Sequence, residues 1–388
     1  MTRPALLVFI ALLTTSLLTA HEVDVKLLST MKVQMISVSG ARGSYSLLLD
    51  GKQQHDSIAA KVFQLVVVND SFEVRIQGDT LGRFKRFVLQ PLNDTCVFKI
   101  KPVKPLSGTR TYDGKLDVTV RDQYLLCVNH VELEAYVAGV VESESGGQGG
   151  PEFYKVQSVL CRTYALAQLG RHINEGYDLC DGVHCQAYRS RTTHPEIRAA
   201  ALATEGLVLV DQRLSLITAA FHSNCGGQTA NSEDVWGGTL PYLRGRPDSF
   251  CTGMPHATWE RRIAKDDWLN GLSQRYKYPI EDSLACKAAC SMKQTSRSNY
   301  FSYGGVRIAY KNLRNDWQLR SAYFTVTEIG DSVLIRGRGY GHGVGMCQEG
   351  AINQAKKGQN YRAILTYYYK DVQVVHISKL AFFKEEEE

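Results

Sequence analysis

After its first twenty residues the sequence lacks any hydrophobic run long enough to cross a bilayer as a helix, so we expect the remainder to be soluble. The start has the order of a secretory signal peptide: a positive charge at Arg3, an apolar run over residues 5–13, and small residues up to Ala20. A membrane anchor is the alternative, but the run is short for a span, and the hydroxyl residues 14–16 follow it. We predict a signal peptide over residues 1–20, cleavage after Ala20 and export of the rest.

Cysteine is absent before Cys96, which leaves no residue for lipid attachment near the predicted cleavage point. The later sequence contains ten cysteines, which in an exported protein would usually form disulfides. Their uneven spacing also allows a metal site. Cys225 and Cys251 could pair across a strand and a loop, and Cys286 and Cys290 lie one turn apart if that stretch is helical.

The positive charge of the chain is not accompanied by a nucleic-acid-binding motif. The formal net charge is +6, and loss of Arg3 with the signal peptide leaves +5. The acidic tail at residues 381–388 is solvated, so the folded body is more basic still. An anionic polymer is therefore a natural partner, and cell-wall glycan and nucleic acid both have suitable charge. Without a motif, we expect no nucleic-acid partner.

The length after signal removal exceeds what one core usually supports and predicts two domains. Residues 21–108 contain no cluster of acids, bases or metal ligands, and we predict a β-rich accessory domain there. Pro102, Pro105 and Gly108 mark the boundary with a second domain at residues 109–380. The predicted strands of the first domain are 33–38, 44–49, 62–68, 72–77 and 96–100, with a hairpin turn at residues 69–70.

The second domain mixes helical and strand patterns. Together they predict an α+β fold in which mostly antiparallel strands and a few helices form a cleft. The predicted strands are 115–120 and 124–128, which form a hairpin around residues 113–114, then 207–210, 216–221, two strands around residues 324 and 333, a glycine-rich strand and 372–377. The predicted helices are 132–144, 151–170, 266–275 and 351–368.

Glycine recurs at every second position through Gly337, Gly339, Gly341, Gly343 and Gly345. In an extended strand this spacing leaves one face as bare backbone, because successive side chains point to opposite sides. Five glycines in register predict that another backbone or a long ligand lies against that face. Packing of a neighbouring chain alone is the other explanation.

Glu144 is the candidate catalytic acid at the end of the first predicted helix. At one hundred degrees per residue it lies on the same stripe as Leu133 and Val137, whereas Glu142 points the opposite way. A carboxyl group that faces the core loses hydration, which raises its pKa and lets it hold a proton near neutral pH. Periodicity alone leaves open a surface carboxylate on a frayed last turn.

Two thiols and two imidazoles occur within fourteen residues, at His172, Cys180, His184 and Cys185. Four such ligands would close a tetrahedral zinc site, and a site filled by protein would be structural, because catalytic zinc keeps one position open. His184 and Cys185 are adjacent and must diverge to share one metal, which makes His172 the least secure ligand. The alternative is a disulfide between Cys180 and Cys185.

Five motifs resemble the SpoIID/LytB family, the stage II sporulation protein D and amidase-enhancer group. They are AYVAGVVESE at residues 135–144, KVQSVLCRTYA at 155–165, FHSNCGGQT at 221–229, PYL at 241–243 and GHGVGMCQEGA at 341–351. They follow the family order over roughly residues 110–375. The resemblance implies a peptidoglycan lytic transglycosylase that acts in the periplasm or cell wall on glycan strands without stem peptides. It places the catalytic acid on Glu144.

A lytic transglycosylase needs one carboxyl group, whereas glycoside hydrolases generally need two. The acid protonates the glycosidic oxygen, and the same group then accepts the proton of the muramic acid C6 hydroxyl as it closes onto C1 to give a 1,6-anhydro end. Glu142 faces away and cannot complete a pair. Glu233 or Asp234 could approach from elsewhere, which keeps hydrolysis as a minor alternative.

The resemblance also assigns substrate-binding residues, although each could instead be a structural hydrogen-bonding residue. Gln157 and Arg162 would orient the acid or the sugar, and two tyrosines would offer flat surfaces to sugar rings. Some family members also bind zinc in the loop after the second helix, where the four predicted ligands lie. The full set is Gln157, Arg162, Ser223, Gly226, Gly227, Thr229, Tyr242, Tyr340, His342 and Gln348.

The sequence departs from the family pattern after the acid, where Met-Pro is usual and Ser145-Gly146 stand here. Cys161 and Cys347 replace the family's usual alanine and serine, and both are interpreted as small buried residues rather than nucleophiles. Two rival classes stay open. One is a glycan-binding module that stimulates a partner amidase and tolerates loss of Glu144. The other is a zinc hydrolase, which would require an exchangeable water on the metal.

Overall fold

The computed structural model describes residues 21–58 and 61–380, and the predicted signal peptide and acidic tail lie outside them. It confirms the α+β prediction, with mostly antiparallel strands in several sheets. The helices are α1 Leu133–Ser145, α2 Pro151–Ala167, α3 Pro195–Ala203, α4 Ser232–Trp236, α5 Lys265–Tyr276, α6 Ser283–Ala289, α7 Tyr310–Asp316, α8 Gln348–Lys356 and α9 Tyr361–Tyr368.

The strands fall mainly in the first third of the chain and in the segment before the glycine repeat. They are β1 Glu22–Leu27, β2 Met35–Arg42, β3 Tyr45–Leu49, β4 Lys52–Ile58, β5 Val62–Val68, β6 Ser71–Ile76, β7 Asp79–Phe84, β8 Arg86–Pro91, β9 Val97–Lys104, β10 Arg110–Asp113, β11 Lys115–Arg121, β12 Tyr124–Glu132, β13 Leu179–Cys180, β14 Leu207–Val210, β15 Phe221–His222, β16 Thr258–Ala264, β17 Tyr300–Tyr303, β18 Val306–Ala309, β19 Phe324–Ile329, β20 Ser332–Arg338, β21 Met346–Cys347 and β22 Gln373–His376.

Two large sheets form the amino-terminal part. One has the order β13-β1-β12-β11-β8-β3-β4, and the other has the order β10-β9-β2-β5-β6-β7. Their buried side chains share one core cluster with α1 and α2, which includes Val23, Phe63 and Tyr136. This cluster therefore extends across the predicted boundary at Gly108, and the division into two domains there stays a prediction.

The hairpin predicted from strands 115–120 and 124–128 is confirmed, although its turn does not lie at Asp113-Gly114. β10 and β11 belong to different sheets, and β11 instead pairs with β12 through a turn at Asp122 and Gln123. Both turn residues have positive φ, at 51° and 65°, without being glycine. Gly114 marks the step between sheets, because a Cβ there would lie 2.3 Å from the carbonyl oxygen of His130.

α1 and α2 occupy nearly the predicted ranges. The side chain of Glu132 accepts hydrogen bonds from the amides of Glu134 and Ala135 and so begins α1, and Gly146, with φ of 65°, ends it. Pro151 stands in the first turn of α2. The single helix predicted over residues 351–368 is wrong: two helices, α8 and α9, are separated by Gly358, whose φ is 86°.

A second hydrophobic core lies between residues 259 and 335, where the sequence predicted little beyond one helix and two strands. The sheet β16-β20-β19 packs with α5, α6 and α7 around the fully buried Trp268. The apolar residues of this core are spread over several short elements, so no single window shows a strong period. This second core carries β20, which leads directly into the glycine-rich segment.

Candidate active site

Glu144 lies in the last turn of α1 with its carboxyl group largely turned inward. Its Oε1 accepts a hydrogen bond of 3.0 Å from the backbone amide of Ala187. Burial raises the pKa of Glu144, while this hydrogen bond and the positive charge of Arg189 act in the opposite direction. A carboxyl group with a raised pKa keeps its proton to higher pH, which is the property required of a general acid.

Glu142 has a different environment although it lies only two residues away. Partial burial would raise its pKa, but hydrogen bonds from the hydroxyls of Thr192 and Thr193, the amide of Thr193 and the charge of His194 together lower it. The predicted divergence of the two carboxylates is thus visible in their partners. Glu142 ties α1 to the loop before α3.

The glycine-rich segment is brought to the end of α1 by Gln348, the first residue of α8. Its Nε2 donates to the backbone carbonyl of Glu144 at 3.4 Å. The two residues are 204 positions apart, so this contact joins the first and last predicted motifs.

The glycine-rich segment is not one extended strand. β20 ends at Arg338, and Gly339, Gly341, Gly343 and Gly345 all have positive φ, between 71° and 110°. The predicted close approach nevertheless occurs. A Cβ on Gly345 would lie 2.0 Å from the carbonyl oxygen of Ala220, and one on Gly339 would lie 2.5 Å from that of Asn224. The neighbour is the chain around residues 220–226, whose backbone bonds to the segment in short bridges.

Tyr340 and His342 project from this segment. The Tyr340 side chain is 44% exposed, which suits a surface that contacts a ring. His342 lies between the rings of His222 and Trp236, with centroid distances of 5.4 and 5.3 Å. Burial, reinforced by Arg314 and Arg297, lowers the pKa of His342 to about 4, although a backbone hydrogen bond opposes the shift. The imidazole is therefore neutral at neutral pH.

Trp236 is an aromatic residue that the sequence prediction missed. It ends α4 and is 47% exposed while its ring contacts that of His342. A large exposed indole beside a histidine can stack on a sugar ring. The residue follows the FHSNCGGQT motif by seven positions, but a lone tryptophan gives no signal that distinguishes a platform from core packing.

Gln157 and Arg162 of α2 have contrasting surroundings. Gln157 is fully buried, and neither polar atom of its amide has a hydrogen-bond partner among the described residues, which is unusual for a buried amide. Arg162 is also fully buried, but its guanidinium bonds both carboxylate oxygens of Glu134 and the carbonyls of Ala201 and Leu207. The surroundings of Arg162 do not support contact with a sugar. It ties α2 to α1 and to the end of α3.

Five of the predicted substrate-binding residues lie in or after the FHSNCGGQT loop: Ser223, Gly226, Gly227, Thr229 and Tyr242. Ser223 is half-buried and accepts the amide of Glu349 at its carbonyl. The amide of Gly226 donates to the side chain of Asn224, and that of Gly227 points to the sulfur of Cys251.

Thr229 is buried, and its hydroxyl oxygen accepts a hydrogen bond from the backbone amide of Arg246. The Tyr242 hydroxyl accepts the amide of Thr218. Their roles in substrate binding stay predictions.

The two carboxylates proposed for a hydrolytic pair are both engaged elsewhere. Arg244 bonds both oxygens of Glu233 at 2.8 and 2.9 Å. Asp234 accepts hydrogen bonds from the amides of Asn231 and Asn299. These contacts provide no support for hydrolysis by a pair with Glu144.

The four predicted metal ligands converge in the loop after α2: His172, Cys180, His184 and Cys185. Each offers a ligand atom within 4.8 Å of the others. The Cys185 sulfur lies 3.6 Å from His172 Nε2 and 3.7 Å from His184 Nδ1, and the Cys180 sulfur lies 3.9 Å from that same Nδ1. In a tetrahedron with Zn–S of about 2.3 Å and Zn–N of about 2.0 Å, sulfur and nitrogen are about 3.5 Å apart, so the residues fit zinc.

A carboxylate that the sequence prediction missed supports this cluster. Glu175 Oε1 lies 2.7 Å from His172 Nδ1, which leaves Nε2 directed at the cluster. Metal-binding histidines usually have such a partner on their second nitrogen. Tyr177 donates to the other oxygen of Glu175 at 2.6 Å and stacks on the His172 ring. Glu175 and Tyr177 therefore orient the ring of His172 towards the cluster, although the sequence made it the least secure ligand.

The same loop connects the cluster to Glu144. β13, which ends at Cys180, pairs with β1, and Asp181 accepts hydrogen bonds from the amides of Leu28 and Ser29. Two residues after Cys185, the amide of Ala187 reaches Glu144. A metal at the cluster would therefore fix the loop that holds the carboxyl group.

The fold and site define an α+β protein with one partly buried glutamate at the end of α1. The loop after the His/Cys cluster contacts its carboxyl group, and the start of α8, which follows the glycine-rich segment, contacts its backbone. A family model described as "Stage II sporulation protein" (SpoIID) matches residues 121–210, from the end of β11 to the end of β14. This range contains Glu144, Gln157 and all four residues of the His/Cys cluster. This match and the named relatives support the resemblance to the SpoIID/LytB family that the motifs predicted.

Three relatives show how far the similarity extends. An uncharacterized protein of Brachyspira hyodysenteriae is 24% identical over 349 residues, which cover 89% of this chain and 90% of that protein. "Stage II sporulation protein D" of Bacillus subtilis is 27% identical over 263 residues, 64% of this chain and 75% of that protein. "Amidase enhancer" of Bacillus subtilis is 27% identical over 281 residues, 60% of this chain but 39% of that protein.

Among the helices of residues 21–58 and 61–380, none combines the length and apolar character that a membrane span requires.

Proposed function

We propose that this protein is a peptidoglycan lytic transglycosylase that acts on glycan strands without stem peptides, with Glu144 as both general acid and general base. The observation that carries the proposal is the raised pKa of Glu144 in a site built from α1, the amide of Ala187 and the start of α8. The family resemblance and relatives named for sporulation and for an amidase support a role in the cell wall.

The residues around Glu144 suit a reaction that uses one carboxyl group. In its protonated state Glu144 donates to the glycosidic oxygen as the bond to C1 breaks. The resulting carboxylate accepts the proton of the C6 hydroxyl as that oxygen bonds to C1, and the acid is regenerated. The amide of Ala187 holds Oε1 and stabilises the ionised form between the two steps. The reaction consumes no water.

The site offers surfaces that suit a sugar polymer. Tyr340 and Trp236 are exposed aromatic residues, and the neutral His342 beside Trp236 can donate or accept a hydrogen bond. The formal net charge, +6 for the whole sequence and +5 without Arg3, favours approach to an anionic wall polymer. We further propose that the protein is exported to the periplasm or cell wall.

The His/Cys cluster would hold a structural zinc ion through His172, Cys180, His184 and Cys185. With four protein ligands the metal would supply no activated water, and its contribution would be to fix the loop that ends at Ala187. The chain's own residues carry out the proton transfers. This arrangement argues against the zinc hydrolase alternative.

The test compares Glu144→Gln with Glu142→Gln on purified peptide-free glycan strands. General acid and base catalysis typically contributes about 10²- to 10⁴-fold, so we expect Glu144→Gln to lose at least about 10²-fold in the rate of strand cleavage. Glu142→Gln is the matched control, because its carboxylate binds Thr192 and Thr193 and should be dispensable for chemistry. Equal rates for both variants and the native protein would remove Glu144 from the mechanism.

A glycan-binding module that stimulates a partner amidase is the second candidate, favoured by the similarity to the amidase enhancer. Such a module would bind strands without cutting them and would raise the rate of an added amidase. In that case Glu144→Gln would stimulate the amidase as well as the native protein does. Loss of cleavage with retained binding in Glu144→Gln supports the enzyme instead.

A further inference from the structure

A second group of potential metal ligands includes the cysteine of the FHSNCGGQT loop and is separate in sequence from the His/Cys cluster. It consists of Cys225, Asp248, Cys251 and Cys347, and all four side chains are buried. One ligand atom from each lies within 4.8 Å of the others. The Cys225 sulfur is 3.3 Å from the sulfur of Cys251 and 3.3 Å from Asp248 Oδ2. Three segments of the chain thus bring three thiols and one carboxylate to one point.

The backbone around this cluster donates hydrogen bonds to sulfur. The amide of Cys225 points to Cys347 Sγ at 3.2 Å, that of Gly350 to the same sulfur at 3.4 Å, and that of Gly227 to Cys251 Sγ at 3.4 Å. Hydrogen bonds of this kind stabilise the negative charge of thiolates and tune metal–sulfur sites. Neutral thiols would gain little from three converging donors.

Asp248 is the second observation that points to a cation. It is fully buried, and its oxygens receive hydrogen bonds from the amide of Phe250, the hydroxyl of Tyr368 and the thiol of Cys225. None of the ion pairs among residues 21–58 and 61–380 involves it. Buried charges in proteins are generally paired or coordinate metals. The carboxylate therefore lacks a positive partner that a metal ion would provide.

We propose that Cys225, Asp248, Cys251 and Cys347 bind one zinc ion, which makes a second structural metal site in this protein. Three thiolates and a carboxylate form a tetrahedral ligand set in which soft sulfur donors favour zinc over hard cations. Binding releases the thiol protons, and the sulfurs separate by a few tenths of an ångström to reach the spacing of about 3.8 Å in a ZnS tetrahedron. The buried guanidinium of Arg297, which donates to the carbonyl of Cys225 at 2.9 Å, offsets part of the excess negative charge.

The ion would connect the loop that carries Ser223 and Gly226 to the start of α8. Cys347 is the residue that caps α8, and the next residue, Gln348, bonds the carbonyl of Glu144. The short helical turn from Asp248 to Cys251 supplies the other two side chains of the cluster. The proposed ion thus fixes one side of the active site, and the His/Cys cluster fixes the loop on the other.

The experiment counts zinc in the full chain, purified without added metal or chelator, by elemental analysis and native mass spectrometry. We expect two zinc ions per chain in the native protein and one in Asp248→Asn and in Cys347→Ser. Cys185→Ser should also retain one ion, which separates the two sites. Cys96→Ser is the control, because this buried cysteine belongs to neither cluster and should leave both ions bound.

A thiol count on the native chain removes the dependence on variants that fail to fold. Alkylation of the denatured, unreduced protein should modify Cys225, Cys251 and Cys347 completely, and a chelator should accelerate their modification in the folded protein. A Cys225–Cys251 disulfide, detected as an unmodified pair with only one zinc bound, would overturn the proposal. Because neither readout depends on glycan cleavage, failure here is distinguishable from failure of the proposed activity.

Discussion

At the scale of single residues, the pair Glu142 and Glu144 shows how position on a helix determines chemical character. Both are glutamates in the last two turns of α1, yet burial raises the pKa of Glu144, and hydroxyl and amide donors lower that of Glu142 despite its partial burial. The difference follows from the 3.6-residue period, because a step of two residues reverses the face.

Glu144→Gln should remove a pH-dependent loss of stability. The pKa of Glu144 is raised above its ordinary value of 4.5 in the folded state, so its favourable contribution is complete below that value and is lost as the pH rises through the folded pKa. A glutamine stays neutral and can still accept from Ala187. We expect equal melting temperatures for the two proteins at about pH 4 and a higher one for Glu144→Gln at about pH 8.

Thermal unfolding over this pH range is the measurement, with Glu142→Gln as control. The lowered pKa of Glu142 means that its contribution is present above its ordinary pKa and is lost on acidification, so this variant should be less stable at neutral pH. A melting temperature of Glu144→Gln that follows the native curve at every pH would contradict the buried environment assigned to Glu144.

Arg162 belongs to the framework of the helices, so Arg162→Met should destabilise the protein rather than alter substrate affinity. The substitution leaves Glu134 buried without its partner, which typically costs about 3–5 kcal/mol. Lys265→Met is the matched control, since its pair with Glu328 is exposed to solvent and its loss should change the stability little. Urea unfolding measures both. A stable Arg162→Met with weakened glycan binding would restore the original prediction of substrate contact.

The sequence could predict that Glu144 turns inward, that the four His/Cys residues lie close together and that the glycine segment meets another backbone, because side chains or spacing carry these signals. It could not predict the amide of Ala187, since every residue except proline has such a donor. Trp236 and Asp248 were missed for a related reason. The sugar contact proposed for Trp236 and the metal binding proposed for Asp248 depend on neighbours from distant segments, which no local pattern reveals.

At the scale of elements, the glycine-rich segment combines two constraints that can be separated by mutation. Gly345 and Gly358 both have positive φ, at 71° and 86°. A Cβ at Gly345 would lie 2.0 Å from the carbonyl oxygen of Ala220, whereas nothing lies within 4 Å of one at Gly358. Backbone conformation is therefore common to both positions, and close approach applies only to Gly345.

Gly358→Ala should cost roughly 1–2 kcal/mol, which is the usual penalty for a left-handed non-glycine residue. Gly345→Ala should cost more than this and should also reduce glycan cleavage, because the clash displaces the chain that leads to Gln348. Equilibrium unfolding and the cleavage assay give the two quantities. Similar stability losses in both variants would mean that the approach to Ala220 is easily relaxed.

Local turn signals predicted element types better than connections. The Asp-Gly pair at residues 113–114 indicated a hairpin whose strands do pair, but Gly114 itself marks the step between two sheets, which depends on the long-range contacts of β11 with β8 and β12. By contrast, the division of residues 351–368 into two helices has a local cause, because the polar run at 356–360 and the positive φ of Gly358 interrupt the apolar pattern.

At the scale of the whole molecule, two hydrophobic cores support one site. The larger core includes both amino-terminal sheets and the helices that carry Glu144, and the smaller one carries β20 and the entry to the glycine segment. The two cysteine-containing clusters lie in the loops that join this scaffold to Glu144. This organisation was beyond sequence reasoning, because the second core is assembled from short segments with weak periodicity.

The most direct test of the central claim is the identity of the product ends formed from peptide-free glycan strands in heavy-oxygen water. Lytic transglycosylation by Glu144 predicts 1,6-anhydro-muramic acid ends, one water lighter than hydrolysis products and without label, from the native protein and not from Glu144→Gln. Mass spectrometry of the released fragments provides this readout. Labelled reducing ends, or strands left intact by a folded native protein with its zinc bound, would contradict it.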